Sequence, residues 1–138
     1  MFLFLILMCQ SISTGNAHEI VHKKIIIYHP YLILEKNLRA HAFMSIENLS
    51  DKSEYLIGIE PKFCETFEIF RIDQKDIPSE INFGKGLEIP PGEAIYIESE
   101  TIKLIFSDLK DISWFNPHLA TFVFKNAGKV ELDFEVEP

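Results

Sequence analysis

Cysteine is scarce in this sequence, which limits covalent cross-linking and thiolate chemistry. Of the two cysteines, Cys9 lies in an apolar N-terminal stretch and Cys64 lies near the middle of the chain. If the N-terminal stretch is removed on export, Cys64 has no partner for an internal disulfide. We therefore expect Cys64 to be a buried apolar thiol, and one thiolate on its own does not make a metal site.

Methionine is equally rare, with three in the whole chain. Met1 and Met8 fall in the same N-terminal stretch, so an exported form would keep only Met44. Thioether sulfur is a ligand for soft ions such as Cu(I). A site that needs two thioether ligands cannot be assembled from one methionine.

Positive charge is in deficit, with 13 Lys and Arg against 21 Asp and Glu and a net charge of −8. Nucleic acids and anionic lipids are bound by clustered basic faces. We expect no nucleic-acid partner.

Motifs of common enzyme classes are absent from the sequence. It has no glycine-rich phosphate loop, no HExxH and no GxSxG. Alternating carboxylates on strands are usually a solvated face, so we do not expect an enzyme.

The N-terminus has the order of a secretory signal. Phe2 to Met8 is an unbroken apolar run, and small and polar residues follow up to Ala17. The run is too short to span a bilayer, and no Lys or Arg precedes it. We expect residues 1–17 to be a cleaved signal peptide and residues 18–138 to be one exported domain with no membrane span. An N-terminal strand, an uncleaved anchor and a lipoprotein modified at Cys9 are the alternatives.

Apolar residues recur with period two, which indicates strands rather than helices. The last segment shows this best, because Val130, Leu132, Phe134 and Val136 alternate with charged residues. Other short strands are expected at 25–28, 40–46, 55–59, 67–72, 87–89, 94–98, 102–106 and 120–124. One helical turn is expected at 107–110. Many short strands separated by turns predict an all-β sandwich or barrel.

Three stretches resemble a known family, the bacterial periplasmic copper chaperones called PCuAC. Ala40–Asn48 is similar to the family's "AAYMTIxN" strand, and Gly86–Glu93 is similar to its "GLEIPAGE" strand and turn. Asn126–Leu132 is similar to its closing "xAGxVxV" hairpin. The resemblance implies a cupredoxin-like antiparallel β-sandwich, or Greek-key barrel, in the periplasm.

The family binds Cu(I) through His, ten residues, Met, twenty-one residues, His, one residue, Met. Counting from the Gly86 anchor, the matching positions hold Phe70, Ile81, Lys103 and Ile105. None is a ligand, and the lysine ammonium has three donors and no lone pair. Ile72 stands where the family often has another Met. The resemblance therefore implies a degenerate copper site and no copper cofactor there.

The substituted positions suggest a different use of the same surface. If the fold is that of the family, five side chains would converge where copper would sit: Phe70, Ile72, Ile81, Lys103 and Ile105. An exposed apolar patch usually marks contact with a partner. The alternative is that these residues extend the core while Lys103 reaches water.

Five histidines offer other metal chemistry: His18, His22, His29, His41 and His118. Cleavage after Ala17 would make His18 the first residue, whose amine and ring could chelate a metal with His22. The alternative is a set of solvated histidines near a flexible terminus. His41 and Met44 have opposite parity on one strand and should face opposite ways.

Two functions follow from these observations. The first is a periplasmic binding or assembly protein that no longer binds copper at the family positions and contacts a protein partner. The second is a copper chaperone for assembly of a terminal cytochrome c oxidase, using other ligands such as His18 and His22.

Overall fold

The structure, a computed structural model, describes residues 19–113 and 115–137. The described chain forms strands and turns without a helix, in agreement with the predicted all-β class. Its twelve strands are β1 (Glu19–His22), β2 (Ile25–Glu35), β3 (Arg39–Asn48), β4 (Glu54–Pro61), β5 (Cys64–Ile72), β6 (Pro78–Glu80), β7 (Leu87–Ile89), β8 (Ala94–Ile97), β9 (Ile102–Leu109), β10 (Leu119–Phe124), β11 (Gly128–Asp133) and β12 (Glu135–Glu137). The predicted signal peptide, residues 1–17, lies outside the described residues.

The strands form two sheets that pack face to face. The larger sheet has the order β1-β2-β3-β8-β9-β5-β6, with β12 added beside β2, and the smaller one has the order β11-β10-β4-β7. Most pairs are antiparallel, but β12 runs parallel to β2 and β8 runs parallel to β9. The predicted all-β sandwich is confirmed, with these two parallel pairs as additions.

Alternation of apolar and polar residues decides which face of each strand is buried. In β3, Ala40, Ala42, Met44 and Ile46 are buried, while the residues between them face outward. The same period-two pattern places β2, β9 and β10 against the core. The face of the larger sheet that points away from the smaller sheet is called the outer face below.

Phenylalanine rings join the two sheets. Phe134 packs edge-on against Phe106 at 5.7 Å between ring centroids and against Phe63 at 5.9 Å. It also lies 6.2 Å from Phe122 of the smaller sheet. Phe134 is thus the ring at which both sheets meet.

A bulge interrupts β2 and changes the direction of its side chains. The register of β2 against β3 shifts between Tyr28 and Tyr31, and His29 has a φ of 42°. A positive φ at a residue other than glycine is uncommon and usually marks a turn or a bulge. Pro30 is buried, and Tyr28 and Tyr31 both end on the outer face although their numbers differ by three.

Two local predictions are wrong. The segment 107–110 is not a helical turn, because its first three residues continue β9, in which Ser107 and Leu109 pair with β5. The last strand is not continuous either, because the chain leaves β11 at Asp133, buries Phe134 and joins the other sheet as β12. In each case long-range pairing outweighs the local pattern.

The described residues also test the expectations for Cys64 and for membrane spans. Cys64 is buried beside Leu109 in the core, as predicted. Residues 19–113 and 115–137 include no helix of the length and apolar character needed to cross a membrane.

Candidate metal site

The positions that the sequence resemblance matches to the family's copper ligands lie mainly on the outer face. Phe70 of β5 pairs directly with Lys103 of β9, and Ile105 follows two residues along β9. Ile72 shares the face of Phe70 because it lies two residues along the same strand. The structure therefore brings four of the five predicted residues to one face.

Ile81 does not join this group. Its backbone N–H donates to the carbonyl of Ile69, and its side chain packs against the core between the sheets. Ile105 is only 4% exposed although it lies on the outer face, while Phe70, Ile72 and Lys103 are half-buried. The expected five-residue patch is smaller than predicted, and its role in binding a partner stays a prediction.

These side chains supply no metal ligand. Phe70, Ile72 and Ile105 are hydrocarbon, and the Lys103 ammonium has no lone pair for a metal. Cu(I) would need imidazole or sulfur at these positions. The donor chemistry there does not fit copper.

His118 is a structural residue. It is 3% exposed, and the Ser113 backbone N–H donates to its Nε2 at 3.4 Å. Its Nδ1 lies 3.2 Å from the carbonyl oxygen of Phe134, so a neutral ring with the proton on Nδ1 satisfies both contacts. Both ring nitrogens are occupied, which leaves none for a metal.

His41 and Met44 face opposite sides of β3, as their parity predicts. The His41 Nε2 lies 2.7 Å from a carboxylate oxygen of Glu35, on the outer face. Met44 is buried in the core. They do not form a joint site.

His22 is held in a strand rather than in a flexible terminus. It is the last residue of β1, and its Nε2 lies 2.9 Å from the carbonyl oxygen of Ala127. The sequence did not predict β1, because four residues are too few to show a clear period. His18, the proposed partner of His22, lies outside the described residues.

One group of side chains does have metal-ligand chemistry: His29, Glu135 and Glu137. One ligand atom from each of the three lies within 4.8 Å of the other two. The His29 Nε2 is 2.9 Å from Oε1 of Glu137, and both side chains are about two-fifths exposed. The group is compact and open to solvent.

The topology explains why these residues meet. Strand β12 runs parallel to β2, with Glu135 beside Tyr31 and Glu137 beside Ile33. Glu135 and Glu137 therefore share one face of β12, and the bulge presents His29 toward them. Sequence reasoning missed this site, since more than a hundred residues separate His29 from Glu137 and only the pairing of β12 with β2 joins them.

The start of β1 lies close to this group along the sheet edge. Glu19 pairs with Tyr28, the residue that precedes His29. The chain segment that enters the structure at Glu19 thus begins beside the bulge.

The ring of His29 is held by an aromatic stack. His29 and Tyr31 have centroids 5.1 Å apart, and Tyr31 stacks on Phe43 at 5.0 Å with planes 11° apart. Burial and the nearby Glu137 carboxylate raise the pKa of the Tyr31 hydroxyl, so it stays neutral at physiological pH. Such packing fixes a ligand's orientation before a metal arrives.

The donor set decides which metals fit. One imidazole and two carboxylates offer nitrogen and oxygen without sulfur, which suits divalent ions such as Cu²⁺ and Zn²⁺ better than Cu⁺. Among divalent first-row ions, such sites generally bind Cu²⁺ most tightly.

The fold is shared with several solved copper-related domains. The copper-bound PCuAC domain from PmoF2 superposes with a TM-score of 0.71 at 24% identity, over 87% of this chain and 97% of that one. The apo PCuAC domain from PmoF1 gives 0.68 at 21% identity, over 87% and 98%. Copper(I)-bound DR1885 from Deinococcus radiodurans gives 0.63 at 12% identity, over 89% and 83%.

No protein-family model and no curated protein matches the sequence. The structural likeness, at identities below a quarter, establishes the architecture that the three sequence stretches indicated. The chain has the fold of PCuAC domains.

Proposed function

We propose that the protein is an exported copper-binding protein of the chaperone type that holds Cu²⁺ at the edge of β2. His29 supplies an imidazole nitrogen, and Glu137 and Glu135 supply carboxylate oxygens. The observation that carries the proposal is the convergence of these three ligand atoms within 4.8 Å.

One further feature supports copper rather than a generic cation. The structural neighbours include a domain solved with copper bound. The positions that match the family's ligands are hydrocarbon and an amine, so copper binding in this chain needs other donors.

We propose His18 as the residue that completes the site. It directly precedes Glu19, whose register partner Tyr28 adjoins His29. If the signal is cleaved after Ala17, His18 contributes a free amine and an imidazole nitrogen from one residue. The proposed location is the periplasm, because a signal peptide of this kind directs export.

A titration of the mature protein with Cu²⁺ tests the proposal. We expect one tightly bound ion with a nitrogen-rich electron paramagnetic resonance spectrum. His29→Ala should weaken Cu²⁺ binding at least about tenfold, and Glu137→Gln should weaken it by a smaller factor. A protein with one glycine added before His18 should also bind less tightly, since it lacks the free amine at His18.

The controls use residues that the proposal leaves out. His41→Ala and Lys103→Ala should keep the affinity of the parent protein, because neither residue belongs to the site. Unchanged binding in His29→Ala would contradict the proposal. Binding lost in His22→Ala but not in His29→Ala would favour His18 and His22 as the ligand pair.

The alternative function is a binding or assembly protein that holds no copper and acts through protein contacts. In that case the mature protein would show no stoichiometric binding of Cu²⁺ or Cu⁺. The fold supports either function, because function depends on the site rather than on the architecture.

A further inference from the structure

Four aromatic side chains lie together on the outer face beside the candidate metal site. Tyr31 pairs across the strands with Phe43, and Tyr28 and Tyr96 both lie opposite Ser45. We call Tyr28, Tyr31, Phe43 and Tyr96 the aromatic patch. Together with His29 they line one shallow cleft.

The patch is accessible to a partner. Tyr96 is 57% exposed, and the other three rings are half-buried. Contiguous accessible apolar surface often marks a binding site. The bulge at His29 contributes directly, because it turns both Tyr28 and Tyr31 to this face.

Carboxylates surround the patch. The Tyr28 hydroxyl donates to Glu47 at 3.4 Å, and Glu98 lines the cleft. Glu19 lies opposite Tyr28, and Glu137 contacts His29, whose ring lies 5.1 Å from that of Tyr31. The described residues that line the cleft include neither lysine nor arginine.

Aromatic faces ringed by negative charge attract cations in two ways. The ring quadrupole favours a Lys or Arg group above its face, and the carboxylates add a longer-ranged attraction. An anionic lipid surface would instead be repelled by the same charges.

We propose that the aromatic patch docks a protein partner that presents a lysine or arginine side chain to these rings. Because His29 belongs both to the cleft and to the proposed copper site, the docked cation lies beside the metal. Docking a cation there lowers the affinity for Cu²⁺, and by linkage Cu²⁺ lowers the affinity for the partner by the same factor. This linkage between docking and Cu²⁺ affinity rests on the proposed copper site, and it would favour release of copper to the partner.

A short peptide tests the docking surface. The probe is an end-blocked peptide with two arginines separated by a glycine, and its neutral control carries citrulline at both positions. We expect the arginine peptide to shift the aromatic NMR signals of Tyr28, Tyr31, Phe43 and Tyr96 in the metal-free mature protein. Binding should weaken as salt is added.

Two substitutions test whether the arginine peptide binds at the aromatic patch. Tyr96→Ala should weaken the arginine peptide about threefold or more, since it removes the most exposed ring. Phe115→Ala removes another strongly exposed ring outside the patch and should have no effect. Equal binding of the citrulline peptide, equal losses in both variants, or no shift of the patch signals would overturn the proposal.

The copper step is tested separately. Glu135→Gln should weaken Cu²⁺ binding and still bind the arginine peptide, because Glu135 is a proposed ligand that does not line the cleft. If Glu135→Gln binds copper as tightly as the parent protein, the proposed site is wrong, while the peptide result still decides the docking surface. In the parent protein, the peptide should bind the metal-free form about two- to threefold more tightly than the copper form.

Discussion

Cys64 illustrates how burial sets the chemistry of a single side chain. Burial raises the pKa of its thiol to about 11, and the thiol is therefore neutral at physiological pH. A neutral, enclosed thiol is a poor nucleophile and a poor metal ligand. The sequence predicted the burial but not the surroundings that produce it.

The shifted pKa of Cys64 predicts a pH dependence of stability. In the unfolded chain the thiol ionises near its ordinary pKa of 9.0, whereas in the folded protein it ionises near 11. The contribution to stability is complete below pH 9.0 and is lost as the pH rises through the folded value near 11. Urea unfolding at a series of pH values across this range measures the loss.

Cys64→Ala is the matched control for this prediction. Lysines and tyrosines also titrate in the same range, so the comparison isolates the thiol. The decline in unfolding free energy should be smaller in Cys64→Ala than in the parent protein. Parallel declines in the two proteins would show that Cys64 ionises equally in both states.

Lys103 shows how much the identity of one residue decides at a position that the resemblance matches to a copper ligand. It lies opposite Phe70 in the pairing of β5 with β9, a register that the spacing along the chain does not give. The lysine ammonium has no lone pair and therefore cannot itself serve as a copper ligand. No tertiary information is needed for that conclusion.

Among the strands, the start of β4 is anchored by a buried carboxylate. Glu54 is 5% exposed, and its oxygens accept the backbone N–H groups of Tyr55, Asn126 and Ala127 at 2.9 Å. The carboxylate thereby joins β4 to the turn between β10 and β11.

Glu54→Gln should therefore destabilise the fold by about 1–3 kcal/mol, because an amide NH₂ would face a backbone donor. Urea denaturation measures this loss. Glu60→Gln on the same strand is the control, since Glu60 is exposed and pairs with Lys129 at the surface, at 3.6 Å. A change of about 0.5 kcal/mol or less is expected there. A similar effect of both substitutions would contradict the anchoring role of Glu54.

Strand prediction succeeded where alternation was long and failed where contacts were remote. The pattern in β3 located a strand whose buried face agrees with the structure. The bulge at His29 has no local signal, because it depends on the register of β2 against β3. The break at Phe134 is similar, since alternation alone predicts an uninterrupted strand from 130 to 136.

Across the whole molecule, the two sheets depend on their shared phenylalanine contacts. Phe134→Ala should cost about 3–5 kcal/mol of unfolding free energy, because a fully buried ring would leave a cavity between the sheets. Phe134→Leu should cost less, since it fills much of that volume. Thermal or urea unfolding measures both.

Phe115→Ala is the reference for loss of a phenylalanine outside the core. Phe115 is 94% exposed, so its removal should change stability by no more than about 0.5 kcal/mol. If Phe134→Ala were as mild as Phe115→Ala, the sheets would not depend on the aromatic contacts described above.

The sequence by itself determined the all-β class, most of the strands and the identity of the residues at the positions that the resemblance matches to copper ligands. These depend on residue identity and on period-two spacing, both of which can be read along the chain. Only the tertiary structure decided that His29 meets Glu135 and Glu137, and that Tyr28 and Tyr31 share a face. The parallel pairing of β12 with β2 and the bulge in β2 create both groups, and neither feature has a local signature.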